Sequence, residues 1–184
     1  MTPRDAIEVL ALEVLRRAGI MRPPVDIDAV AAAEGLRFVP LGFDSLLGAY
    51  CADPPSHELH KGPFAMIGSH QHPLRQRFTK AHELAHHLMD EPRGWVVRMQ
   101  LPLAQRYNGV DYHEAHELFA ASLLLPRPWV ERFDGGSWRR KDVARLAEHF
   151  AVTKIAAAVR LEEVYGRPPL EFLGLTESDR YARA

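Results

Sequence analysis

The chain has 184 residues, 47% of them hydrophobic and 26% charged, with a formal net charge of -1. That is the length of one ordinary globular domain or a domain with a small appendage, and it excludes disordered, collagenous and coiled-coil chains. Near-neutrality argues against a bulk electrostatic affinity for nucleic acid or an anionic membrane.

Cys51 is the single cysteine, so an intrachain disulfide is impossible and a reducing cytosol is the expected setting. The longest nearly apolar stretch, Phe119 to Pro126, is far too short to span a bilayer. Arg4, Asp5 and Glu8 interrupt the run that a secretory signal would need. A soluble, cytoplasmic protein is expected.

In chain order, Thr2 and Pro3 open an amphipathic helix whose apolar face is Ile7, Leu10, Ala11, Val14 and Leu15, with Gly19 as its stop. Asp26 to Glu34 reads as a short alanine-rich helix. Leu36 to Leu41, Leu46 to Cys51 and Phe64 to Ile67 read as short strands punctuated by glycines. From Pro73 to about Met89 the period is helical. Trp95 to Tyr107 is ambiguous between a strand and an irregular connection. A second strong helix runs from about Asp111 to Leu125 and stops before Pro126. Arg127 to Phe133, Trp138 to Phe150 and Thr153 to Tyr165 are helical again. The fold class is α+β: a core over residues 1–126, then a helical C-terminal part over residues 127–184.

Ten histidines are present, nine of them between His57 and His116. The informative group is His82-Glu83-Leu84-Ala85-His86, an H-E-x-x-H within the helix from Pro73. Four residues are just over one helical turn, so His82 and His86 share a face and can reach one ion. Zinc is the expected metal, one per chain, with manganese or another divalent ion as an alternative. Glu83 is rotated about 100° from His82, where it can take a proton from a metal-bound water. Leu84, Ala85 and Leu88 make the helix apolar and draw the histidines into a semi-buried setting, where they need partners.

A third ligand is expected from the following helix. Phe119, Ala120, Leu123 and Leu124 define its buried side, which places His113 and Glu117 inward and Glu114 and His116 toward the flanks. His113 is the favoured ligand, with Glu117 as its outer partner; Glu117 or Glu114 are the alternatives.

Two linked stretches carry a resemblance. Arg77-Phe78-Thr79-Lys80-Ala81-His82-Glu83-Leu84-Ala85-His86, followed by Phe119-Ala120-Ala121-Ser122-Leu123-Leu124-Leu125-Pro126, resembles the ImmA/IrrE family of metallo-endopeptidases. Gly48-Ala49-Tyr50 and the strand through Ile67 are similar to that family's sheet. The resemblance covers about residues 45 to 135. It implies a zincin-like core, a small sheet packed on helices around the H-E-x-x-H helix. It also implies cleavage of a cytoplasmic protein, most often a helix-turn-helix repressor, in stress responses, mobile elements or toxin–antitoxin-like systems.

The family's third ligand is a glutamate six residues before that Phe, with a common Asn two before it. His113 and Glu117 stand there instead, which admits either a substituted site or a lost one. A catalytically inactive regulator that binds its partner or DNA without cleavage is therefore the alternative function. Tyr50, Tyr112 and His87 are candidate oxyanion helpers. An extended substrate is expected to pair with an exposed strand edge near Phe64 to Ile67.

Val143 to Val164 has helix-turn-helix spacing, but Lys154 and Arg160 are offset by Glu162 and Glu163, and Arg139-Arg140-Lys141 is the only basic run. Direct DNA binding is not expected. His57, Glu58 and His60 read as a solvated loop rather than a second metal site, Trp129 and Trp138 as hydrophobic anchors, and Cys51 as packing.

Overall fold

The computed structural model describes residues 2–42, 47–52, 62–90, 112–133 and 140–166, with the side chains of Tyr112, His113, Arg140 and Lys141 outside that description. The expectations at Trp95 to Tyr107 and at His57, Glu58 and His60 lie outside the described residues, as does Trp138.

Helix α1 (Pro3–Arg17) begins where expected. Thr2 accepts from the Asp5 backbone N–H, and the Asp5 carboxylate accepts from the Thr2 N–H, a reciprocal cap. Helix α2 (Ile27–Ala33) is capped by Asp26. Three strands follow: β1 (Arg37–Leu41), β2 (Gly48–Cys51) and β3 (Phe64–Gly68). Helix α3 (Pro73–Met89) carries the H-E-x-x-H group. Helices α4 (Tyr112–Leu124), α5 (Arg127–Phe133), α6 (Arg140–Phe150) and α7 (Lys154–Tyr165) complete the described chain. Among the described residues, a small mixed sheet with seven helices is an α+β architecture, as the pattern implied.

Among the described residues the sheet order is β1-β3-β2, with β3 parallel to β1 and antiparallel to β2. This corrects one expectation. Phe64 to Ile67 lies in the central strand, with both edges already paired, and is not available to an added peptide strand. The short period-2 pattern showed that β3 exists but carried no information on its neighbours. Ala65 and Ile67 alternate into the core, where they are 0% and 3% exposed.

Helix α4 is the centre of the molecule. It packs against both α1 and α3, and Ala115, Leu118, Phe119, Ala120, Leu123 and Leu124 are all buried. Such a helix has no single apolar stripe. Its C-terminal end is tied down by Arg160 of α7, which is fully buried. That guanidinium donates to the Leu125 carbonyl at 2.9 Å, to Glu8 of α1 at 2.7 Å and to Glu163 at 3.2 Å. Arg160, weighed in the sequence as a basic residue of a DNA-reading helix, is instead a buried cross-link. Its charge is compensated in place, as a buried ion requires.

Arg77 does the same for the start of α3. It donates to the Ala151 carbonyl, in the turn between α6 and α7, and to the Val25 carbonyl ahead of α2. Burial pulls its pKa below the ordinary guanidinium value, partly offset by Asp26 and Asp28. No helix among the described residues is long and apolar enough to cross a membrane.

Candidate metal centre

Helix α3 is built to present polar groups from an apolar rod. His72 caps its N-terminus, accepting from the Leu74 N–H at 3.3 Å, and Pro73 occupies the first turn, where its missing N–H costs nothing. Ala81, Leu84, Ala85, Leu88 and Met89 bury one side. His82, His86 and His87 are left half-buried.

The His82 and His86 rings stand 5.0 Å apart, centre to centre. Two imidazoles on one tetrahedral zinc, each bound at about 2.0–2.1 Å, have ring centres about 5 Å apart. The spacing therefore fits a shared ion.

Glu83 is 6% exposed. Burial pushes its pKa up from the ordinary carboxylate value, and the nearby His86 and His116 offset part of that rise. Its carboxylate lies against β2 at Gly48, where a Cβ would fall 2.5 Å from Glu83 Oε1 and 2.6 Å from Thr79 Cγ2. Glycine is the residue that lets strand and carboxylate approach this closely. The start of β2 is held in place by Gln71, which donates to the Leu47 carbonyl at 2.6 Å and accepts from the Thr79 hydroxyl at 3.0 Å.

Opposite α3, the buried face of α4 presents His116, which is completely buried. Its ring stacks on that of His86 at 4.0 Å and lies 5.6 Å from that of His82. This corrects the assignment of His116 to a flank, which came from reading a single apolar stripe on a helix that is buried on most sides. His113 belongs to the first turn of α4, but its side chain is outside the described residues. Glu114 is exposed and pairs with Arg4 of α1 at 2.8 Å, so it is turned toward α1 as an ion-pair partner. Glu117 is half-buried.

Asp90 is the C-cap residue of α3. Its carboxylate joins the two helices, 2.6 Å from His86 Nδ1 and 3.0 Å from His116 Nε2. His86, Asp90 and His116 offer ligand atoms within 4.8 Å of one another, a cluster compatible with a metal ion. Its one sequence signal is the i, i+4 spacing of Asp90 from His86.

Tyr50 and His87, both candidate oxyanion helpers, are bonded to each other. The Tyr50 hydroxyl is 3.0 Å from His87 Nδ1, and His87 Nε2 is 3.0 Å from the Glu34 carbonyl. His87 thus links β2 to the end of α2. Cys51, in β2, is a free, half-buried thiol.

An H-E-x-x-H helix facing a second helix that supplies a further imidazole, with a buried glutamate beside it, has the layout of a metallopeptidase-like centre. The family model for the IrrE N-terminal-like domain, Peptidase_M78, matches residues 47–162, well over half of the chain, and the chain belongs to this family. A solved structure of a Mycobacterium tuberculosis transcriptional regulator is similar over 89% of this chain, with a TM-score of 0.61 and 21% sequence identity. At that identity the likeness is one of fold. The match covers 48% of the regulator, so the chain spans about half of its length. No curated protein matches the sequence.

Proposed function

We propose that the protein is a zinc-dependent endopeptidase that hydrolyses a peptide bond in a cytoplasmic protein, with a helix-turn-helix repressor or antitoxin-like regulator as the substrate class. The observation that carries this reading is the position of Glu83, a buried carboxylate that follows His82 on α3 and lies against the backbone of β2.

His82 and His86 would hold the metal, with His113 proposed from the sequence as the third protein ligand. Nitrogen-rich donors of this kind suit zinc better than magnesium or calcium. When bound, the metal would polarise the scissile carbonyl and acidify water. Glu83 then accepts a proton at its carboxylate and returns it to the leaving amine. Its buried setting strengthens the preference for a proton, the property a base near neutrality needs. Strand β2, an edge of the sheet among the described residues and in contact with Glu83, would align an extended substrate by main-chain pairing. The helical part after residue 126 would be a separate subdomain packed on the core, a surface for the substrate protein rather than for DNA.

Two observations favour a second reading, a regulator that binds its partner without cutting it. Histidine stands at the glutamate position of the family's metal site, and the similar solved structure is a transcriptional regulator. The experiment is to incubate the parent chain and Glu83→Gln with a cytoplasmic extract and identify new N-termini by mass spectrometry. Termini that appear with the parent alone support the peptidase. Retention of a partner by both forms, with no new termini, would establish the non-cleaving regulator.

A further inference from the structure

Helices α3 and α4 each contribute a histidine to one carboxylate. An ionised carboxylate only accepts hydrogen bonds, so each ring nitrogen facing Asp90 carries its proton. His86 Nδ1–H donates to Asp90 Oδ2 at 2.6 Å and His116 Nε2–H to Oδ1 at 3.0 Å. Two atoms bound to one tetrahedral zinc at about 2.0–2.1 Å stand about 3.3 Å apart. A separation of 2.6 Å is shorter than that and has the length of a charge-assisted hydrogen bond.

With Nδ1 protonated, the lone pair of His86 is on Nε2, the nitrogen left to a metal. The backbone fixes this arrangement from below, because the Asp90 N–H donates to the His86 carbonyl at 3.1 Å. The carboxylate thereby stays over the last turn of α3. On the other side, His116 cannot swing away, since it is wholly enclosed and stacked on the His86 ring.

We infer that Asp90 is a positioning residue of the metal centre: one oxygen holds His86 in the tautomer that ligates through Nε2, and the other fixes that carboxylate to α4 through His116. The orientation of the His86 ring then depends on the docking of α4 against α3. This inference rests on the metal reading proposed above and adds to it a residue that the H-E-x-x-H pattern does not contain.

The test is zinc affinity of the full chain, by competition with a chromophoric chelator, together with the visible absorption of the cobalt-substituted protein. Asp90→Ala should still bind one zinc but about 10- to 100-fold more weakly, with the cobalt band positions kept. Asp90→Asn, whose amide oxygen still accepts the Nδ1 proton, should recover most of that loss. A residue that merely supports folding would shift the melting temperature without this pattern of loss and rescue. Unchanged affinity in Asp90→Ala overturns the inference. So does a cobalt spectrum of altered coordination with no rescue by Asn, which would make Asp90 a ligand itself. If Asp90→Ala fails to fold, Asp90→Asn decides alone: affinity within a few-fold of the parent is expected, and a loss beyond about 100-fold contradicts the positioning role. A parent chain that binds no zinc would sink the peptidase reading itself, an outcome distinct from the others.

Discussion

Gly48 of β2 and Glu83 of α3 are in such close contact that a single methyl group on the glycine would sit 2.5 Å from the glutamate Oε1. Thr79 Cγ2, at 2.6 Å from the same point, closes the other side. Gly48→Ala should therefore force either the strand or the carboxylate to move. The expected cost is about 1–3 kcal/mol of stability, measured by chemical denaturation. Part of this cost should disappear in a Glu83→Ala background, because the two residues share one space.

The same contact sets a pH dependence. Burial raises the Glu83 pKa above its ordinary value of 4.5, so the folded chain keeps that proton to a higher pH than the unfolded chain does. In the metal-free protein this contribution is most favourable below the ordinary value, and it is lost as pH rises through the elevated folded value. Glu83→Gln lacks that loss. The stability difference between Glu83→Gln and the parent should grow in favour of the variant from acid to neutral pH in chelator-treated samples. Hydrolysis by Glu83→Gln should fall by about 10²- to 10⁴-fold.

Tyr50→Phe separates a structural role from a catalytic one. The hydroxyl is engaged by His87, which is itself bonded to the Glu34 carbonyl, so its loss should cost about 0.5–1.5 kcal/mol of stability. Hydrolysis should change by no more than a few-fold. A loss of turnover with stability intact would return Tyr50 to the reacting groups.

Arg160→Ala should be among the most damaging single changes outside the centre. It leaves Glu8 and the Leu125 carbonyl without their buried donor and should cost about 3–5 kcal/mol, seen as a lower melting temperature. Arg160→Lys should recover little of this, since an ammonium cannot reproduce the fork that reaches three partners.

Helix α3 was fully legible in the sequence because its apolar residues recur at helical spacing and its His pair falls on one side of that pattern. The three strands were legible as segments, marked off by glycines, but their order was not, since pairing is decided by contacts that no local pattern records. The buried side of α4 was read only in part. A helix packed against both α1 and α3 keeps only a narrow polar edge, at Glu114 and Glu117, too little to mark direction, and so the enclosure of His116 left no trace. Asp90 was obscured by its position. An aspartate at a helix end ordinarily signals only that the helix stops, and its partner lies 26 residues further along the chain.

Metal content most directly tests the account. Elemental mass spectrometry on the untagged protein, with His82→Ala, His113→Ala and His116→Ala alongside, should find close to one zinc per chain in the parent and a sharp loss in His82→Ala. A further sharp loss in His113→Ala would establish His113 as the third ligand, and the same loss in His116→Ala alone would transfer that role to His116. A parent chain without zinc or any other divalent ion would contradict the account and leave a binding protein on a metallopeptidase fold.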